Sequence, residues 1–124
     1  MGSRSFEELE VYKKCCTFRK KTFELAKTFP SSEKFKLVDQ LVRSTRKCPA
    51  NIAEGHGRYH YQENIQYCRI ARGSLTEAQD HLNCAHECNY ISLAVRNELK
   101  NEAQTIIKMI NGYIRFLEKQ KKTK

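Results

Sequence analysis

The sequence predicts an all-α fold, an up-down four-helix bundle. Three observations carry that reading. Gly is 5 and Pro is 2 in 124 residues, too few turn formers for a sandwich or a barrel. Apolar residues recur at three- and four-residue intervals, and no alternating strand pattern of useful length exists. Short interruptions at Pro30, at Gly55-His56-Gly57 and at 89–92 divide that periodicity. One domain over residues 1–124 is expected, with helices at about 5–28, 32–55, 61–88 and 93–119 joined by short connections.

The first helix opens on Ser5 and Glu8 at capping-box spacing, and Glu7, Glu8 and Glu10 suit the positive end of the helix dipole. Two adjacent apolar stripes follow at 100° per residue. One is Leu9, Tyr12, Cys16, Phe23 and Ala26, and the other is Val11, Cys15, Phe18, Leu25 and Phe29. Together they span roughly half the circumference, wider than the ~100° a helix needs to face one core. The surplus predicts a second buried contact, hence a partner subunit. Lys13, Lys20 and Lys27 recur on the opposite face, with Lys14 and Lys21 beside them. That row suits either an ordinary solvated face or a polyanion.

The second helix is expected to start at Ser31 or Ser32, either of which can cap it. Its core stripe is Leu37, Leu41, Thr45, Cys48 and Ile52, flanked by Val38 and Val42. A polar stripe of Gln40, Arg43, Lys47, Asn51, Glu54 and Arg58 runs about a third of a turn away. Pro49 removes one hydrogen bond and should kink or break the helix near 45–48.

In the third helix the core stripe is Cys68, Ala71, Leu75, Ala78, Leu82 and Ala85. A neighbouring face mixes Tyr67, Ile70, Ser74, Glu77, His81, Cys84 and Cys88. Gly73 lies mid-helix and is expected to be a close-packing point. The fourth helix carries Leu99, Ala103, Ile106, Ile110, Tyr113 or Ile114, and Leu117 on one face. A basic tail of Lys119, Lys121, Lys122 and Lys124 follows.

Composition limits the function classes. With 40% apolar and 30% charged residues, the chain reads as soluble and globular. No apolar run approaches the ~18 residues that span a bilayer, so no membrane partner is expected. No signal-peptide stretch opens the sequence, and Phe6 stands where a myristoylation signal after Met1-Gly2 wants Ser or Thr. A cytoplasmic location follows as an expectation. The charge of +9 points to a polyanion, with nucleic acid the commonest for such a chain.

The six cysteines form no Cys-x-x-Cys, and a chain with this much apolar sequence does not need disulfides. His81, Cys84 and Cys88 share a helix face with His86 nearby, but no second segment offers ligands, so no metal is expected and the thiols read as small buried groups. No cofactor is expected either. Gly55-His56-Gly57 lacks the Lys-Ser/Thr ending of a phosphate loop. Glu77 and His81 are one residue too far apart for the Glu-x-x-His of a di-metal bundle. No catalytic constellation emerges, so the chain reads as a non-enzyme.

The densest pattern lies between Gln40 and Glu77. Gln40-Leu41-Val42-Arg43 is followed by Pro49-Ala50-Asn51-Ile52-Ala53-Glu54-Gly55 and then by Ile70-Ala71-Arg72-Gly73-Ser74-Leu75-Thr76-Glu77. These segments resemble the four-helix-bundle family first named for proteins encoded in intervening sequences of 23S ribosomal RNA genes. Leu9-Glu10-Val11-Tyr12, Phe29-Pro30, Glu33, Phe35 and Leu37 extend the resemblance over nearly the whole chain. Lys47 and Cys48 depart from it, since the family often has Ser and an aliphatic residue there. The resemblance implies a ring-shaped homopentamer. It also implies a fold similar to the accessory variability determinant of diversity-generating retroelements, a basic pentamer that works with a reverse transcriptase and its template RNA.

Physically, Asn51 and Glu54 of the second helix and Ser74 and Glu77 of the third can form a buried polar network that fixes register, with Arg43 or Arg72 neutralising the carboxylates. The functional expectation is a non-enzymatic, homo-oligomeric module that binds RNA or DNA. Its candidate contacts are Lys13, Lys14, Lys20, Lys21, Lys27 and Arg58, with the 119–124 tail in support. Gln40, Arg43, Asn51, Glu54, Gly55, Gly73, Ser74 and Glu77 form its structural motif. The rival expectation is a protein-interaction scaffold, for instance a reverse-transcriptase partner, with no direct nucleic-acid binding.

Overall fold

The structure is a computed structural model and describes residues 5–123. Met1 and Gly2, weighed above for a lipid signal, and Lys124 of the basic tail lie outside the described residues. The helices are α1 (Glu10–Ala26), α2 (Leu37–Gly57), α3 (Tyr61–Glu87) and α4 (Leu93–Lys122), with no strand among the described residues. Each helix packs on the next, most extensively α2 on α3, and α1 closes only lightly on α4. The result is a four-helix bundle. Phe18, Leu41, Ile52, Ile65, Leu75, Leu82, Ile106 and Ile110 fill its centre.

The helix starts differ from expectation for local reasons. Ser5 caps a 3-10 turn at Phe6–Glu8, and its Oγ accepts the N–H of Glu7 at 3.2 Å, so no capping box forms with Glu8. Leu9 is extended, and α1 begins only at Glu10. The Phe6 ring packs edge-on against Tyr12 at 4.9 Å, which folds the leading turn back on the helix. Ser31 and Ser32 likewise sit in a 3-10 turn, Ser31–Glu33, and α2 starts at Leu37.

Glu33 takes over the capping role. Its Oε1 accepts the N–H of Leu37 at 3.3 Å, and its Oε2 accepts the Tyr90 hydroxyl at 2.7 Å. The Tyr90 hydroxyl and then the Leu37 N–H hold the Glu33 carboxyl below the usual carboxylate range. The same carboxylate pushes the Tyr90 phenol up to about 12. With the Phe29 and Tyr90 rings 5.5 Å apart, this pins the α1–α2 turn to the α3–α4 turn at one end of the bundle.

Pro49 does not break α2, which runs unbroken to Gly57. The proline's lost hydrogen bond costs about 3 kcal/mol. Burial of Cys48, Pro49 and Ile52 offsets it, at roughly 1.5–3 kcal/mol for a large apolar side chain. Gly55-His56-Gly57 is helical rather than a turn, and no described glycine has a positive φ. The turn falls at Tyr59, whose φ of 61° is a left-handed conformation that costs a non-glycine residue about 1–2 kcal/mol.

At the other connection Asn89 takes φ 64°, and the N–H of Tyr90 bonds the Ala85 carbonyl at 2.9 Å, closing α3. Ser92 Oγ accepts the N–H of Val95 at 3.1 Å and caps α4, which continues to Lys122, past the expected stop near 119.

The close packing expected at Gly73 is found at Gly55 instead. A Cβ on Gly55 would lie 2.8 Å from Asn64 Oδ1 and 2.9 Å from the Tyr67 Cβ, so α2 touches α3 there. A Cβ on Gly73 would meet nothing within 4 Å. The cysteines also depart from expectation. Cys15 and Cys48, both fully buried, pair as a disulfide between α1 and α2 with their Cα atoms 6.1 Å apart. Residues 33 positions apart meet only through the helix packing, which spacing alone does not reveal. No helix among the described residues is long and apolar enough to cross a membrane.

Candidate nucleic-acid interface

Helix α1 turns one of its two apolar stripes inward. Val11, Cys15 and Phe18 are buried, joined by Thr22 and Ala26, and the Thr22 hydroxyl donates to the Phe18 and Arg19 carbonyls. The other stripe stays open: Leu9, Tyr12 and Cys16 are half-buried, and Phe23 is 40% exposed. Phe23 and Cys16 line a groove of about 470 Å³ with Val42 and Thr45 of α2. Arg19, Lys20 and Arg46 also line it. None of these three cations has a carboxylate within 4.0 Å among the described residues.

The four lysines of α1, Lys13, Lys14, Lys20 and Lys21, and Lys27 just after it are all exposed. Lys13 pairs with Glu10 at 3.4 Å, Lys27 with Glu24 at 3.2 Å, and Lys21 with Glu102 of α4 at 3.1 Å. Lys14 and Lys20 have no such partner among the described residues. Exposed pairs of this kind are worth only about 0–1 kcal/mol, so they yield readily to a polyanion. Between Glu10 and Lys27 six cations face two carboxylates, so this helix carries a large share of the +9.

Arg58 is engaged differently. Its guanidinium sits 2.9 Å from Glu54 and 3.7 Å from Glu63, donates to the Tyr67 hydroxyl at 2.8 Å and lies over the Tyr67 ring. The Glu54 carboxylate raises its already high pKa further. Arg58 therefore clasps α2 to α3.

The buried polar network does not form. Arg43 turns to Asp39 at 3.1 Å, and Arg72 donates to Asn111 of α4 at 2.7 Å, so neither reaches Glu54 or Glu77. Glu77 is exposed and meets Lys47 at 3.5 Å and His81 at 3.2 Å. Asn51 donates to the Lys47 carbonyl at 2.8 Å, the buried Ser74 hydroxyl to the Ala71 carbonyl at 2.6 Å, and Gln40 is exposed. The reason lies in the α2–α3 seam. Gly55 lets the helices close there, which leaves the longer polar groups at the rim.

No cluster of three or more His, Cys, Asp or Glu side chains fit for a metal exists among the described residues. Burial pushes the Cys68 thiol up to about 12, and burial also raises that of Cys84, so neither is poised as a nucleophile.

Sequence reading missed two features. Arg19 and Arg46 stand outside the seven-residue lysine row and come to one groove only through the packing of α1 on α2; Arg46 lies four residues beyond Val42, on its face. A cavity at the far end of the bundle gathers aromatic side chains from the α2–α3 turn and from α4. The dense run Tyr59-His60-Tyr61, where the connector enters α3, is its one visible signal.

The pattern of the family described as 23S rRNA-intervening sequence protein matches residues 7–112. A solved structure from Bacteroides thetaiotaomicron, described as a protein of unknown function from the S23 ribosomal protein family, superposes with a TM-score of 0.77. The two share 24% identity over 84% of this chain and 97% of the other, which shows a common fold. No curated protein matches the chain.

Proposed function

The chain belongs to the 23S rRNA-intervening sequence protein family, and from that premise we propose that it is a non-enzymatic, self-assembling RNA-binding module. One observation carries the reading: α1 exposes an apolar stripe and a cationic row side by side. Copies of the chain cover the stripe, and the rows pool.

The receiving surface is the outer face of α3. Ile70, Gly73, Glu77 and Asp80 follow one another at three- and four-residue intervals and so share that face. Ile70 is 51% exposed and the space over Gly73 is open. Glu77 and Asp80 complement the Arg19, Lys20 and Arg46 that line the groove. Groove-to-face contact joins two different surfaces, and repetition of such a contact closes a ring when the rotation between neighbours divides a full turn. A pentamer would carry about +45.

Binding to phosphate needs no base recognition, so this surface discriminates little between sequences. The family takes its description from 23S rRNA, which makes ribosomal RNA the first polyanion to test. Such a ring would also suit an accessory of a reverse transcriptase, and nuclease treatment before capture of that enzyme separates an RNA bridge from a direct contact.

The test is an RNA titration at several salt concentrations. A steep log-log slope is expected, and replacing Lys13, Lys20 and Lys27 with Glu should flatten it by about 0.7–0.9 per lost phosphate contact. A flat slope in the unaltered protein removes phosphate neutralisation and favours a protein partner for the basic face.

A further inference from the structure

The end of the bundle opposite the Glu33–Tyr90 clasp holds a cavity of about 360 Å³, within the roughly 300–1,000 Å³ usual for small-ligand clefts. Its walls are Tyr59 and His60 from the α2–α3 turn, Tyr61 and Asn64 from α3, and Tyr113 and Phe116 from α4. Four of the chain's twelve Phe and Tyr residues thus converge on one opening.

Packing explains two of these rings poorly. Tyr59 is 79% exposed and Phe116 is 52% exposed. Tyr59 is moreover held at φ 61°, where glycine would be at ease, and strained backbone of this kind clusters at ligand sites. The floor is firmer. Asn64 is buried, and its Nδ2 donates to the Tyr113 hydroxyl at 3.3 Å. The Tyr113 and Phe116 rings lie nearly parallel, at 11°, with their centroids 6.3 Å apart.

The surroundings are cationic. Arg115, Lys119 and Lys122 of α4 have no carboxylate within 4.0 Å among the described residues, and Lys121 donates to Gln62, beside Tyr61. The carboxylates in the same two stretches are Glu63, which Arg58 occupies, and Glu118. Aromatic faces amid unpaired cations match a strand whose bases are free to stack and whose phosphates run alongside. A paired duplex hides its base faces, and a purely apolar ligand would make no use of the cations.

We propose that this cavity takes an unpaired nucleobase of a single-stranded nucleic acid, stacked on Tyr59 and Phe116, with the flanking phosphates on the last turns of α4. The proposal rests on the nucleic-acid reading above but adds a second site, at the end of the bundle rather than along α1. It makes the protein a reader of single strands, where the α1 lysines alone would accept any polyanion.

The experiment compares three labelled probes at one low salt concentration: a ten-nucleotide oligouridylate, an abasic strand of the same length, and a ten-base-pair RNA duplex. The unaltered protein is expected to bind the oligouridylate about tenfold or more tighter than the abasic strand, since stacking on an aromatic ring supports factors of that size. Combining Tyr59→Gly with Phe116→Ala should erase that preference and leave the salt slope in place. Glycine suits the backbone at position 59 and both rings are exposed, so the fold is retained. Tyr59→Phe keeps a ring there and should keep the preference.

Equal affinity of the unaltered protein for the oligouridylate and the abasic strand overturns the cavity assignment, as does a preference that survives in the double variant; the α1 reading then stands. Failure to bind any probe at low salt overturns the nucleic-acid reading and the cavity with it.

Discussion

The seams on the two sides of α2 are built differently. Toward α3, Gly55 brings the helices to contact and Arg58 clasps the rim. That seam is complete within one protomer. Toward α1, a groove of about 470 Å³ stays open, with Phe23 half out in water and three lining cations that meet no carboxylate within 4.0 Å among the described residues. The difference teaches that α2 finishes one of its seams within the protomer and leaves the other open. In the proposed assembly a second copy of the chain covers that open groove between α1 and α2.

The sharpest way to break that contrast is to unfasten α1. The Cys15–Cys48 link closes a loop of 33 residues, and loop-closure entropy assigns such a link about 3–4 kcal/mol. Reduction should lower the urea midpoint accordingly. An unchanged midpoint would mean that the two thiols merely pack and that α1 is held by its apolar face alone. Next comes Gly55→Ala, whose methyl would press into Asn64 and Tyr67, backbone oxygen included at 3.1 Å. Overpacking of this kind costs about 1–3 kcal/mol.

The matching change at Gly73 should go the other way. Gly73→Ala meets open space in the protomer and should stabilise it by about 0.5–1 kcal/mol through helix propensity. A loss of stability there, comparable to that at Gly55, would erase the distinction between the two glycines.

The smallest effect concerns the turns. The pKa of Glu33 is lowered in the folded protein, so its contribution is present above the usual carboxylate value and is lost as pH falls through the depressed one. The pKa of Tyr90 is raised, so its contribution is full below the ordinary value of about 10 and fades as pH rises to about 12. Stability should therefore sag at both extremes, and Tyr90→Phe should remove the alkaline edge and shrink the acid one, which the Leu37 N–H still supports, in thermal melts across pH.

Much of this organisation was legible in residue order. The core stripes of α2, α3 and α4 follow from three- and four-residue spacing, because periodic burial writes itself into a helix. Helix starts were less legible. Ser5, Ser31 and Ser32 look like caps, yet Phe6 on Tyr12 and Glu33 on Tyr90 redirect the chain through contacts that local pattern does not encode. Gly55-His56-Gly57 looked like a turn because glycine serves tight turns and close helix contacts alike, and only the position of Asn64 decides between them. In the candidate site, the α1 lysines were visible as a row. The groove that sets Arg46 beside Phe23, and the end cavity that sets Tyr59 beside Phe116, join distant segments and appear only once the helices are packed.

Solution mass tests the unfinished surface most directly. Sedimentation equilibrium of the unaltered protein at micromolar concentration should return a multiple of 14.5 kDa, and Phe23→Asp, with unchanged helix content, should return 14.5 kDa itself. A single 14.5 kDa species for the unaltered protein would contradict the account.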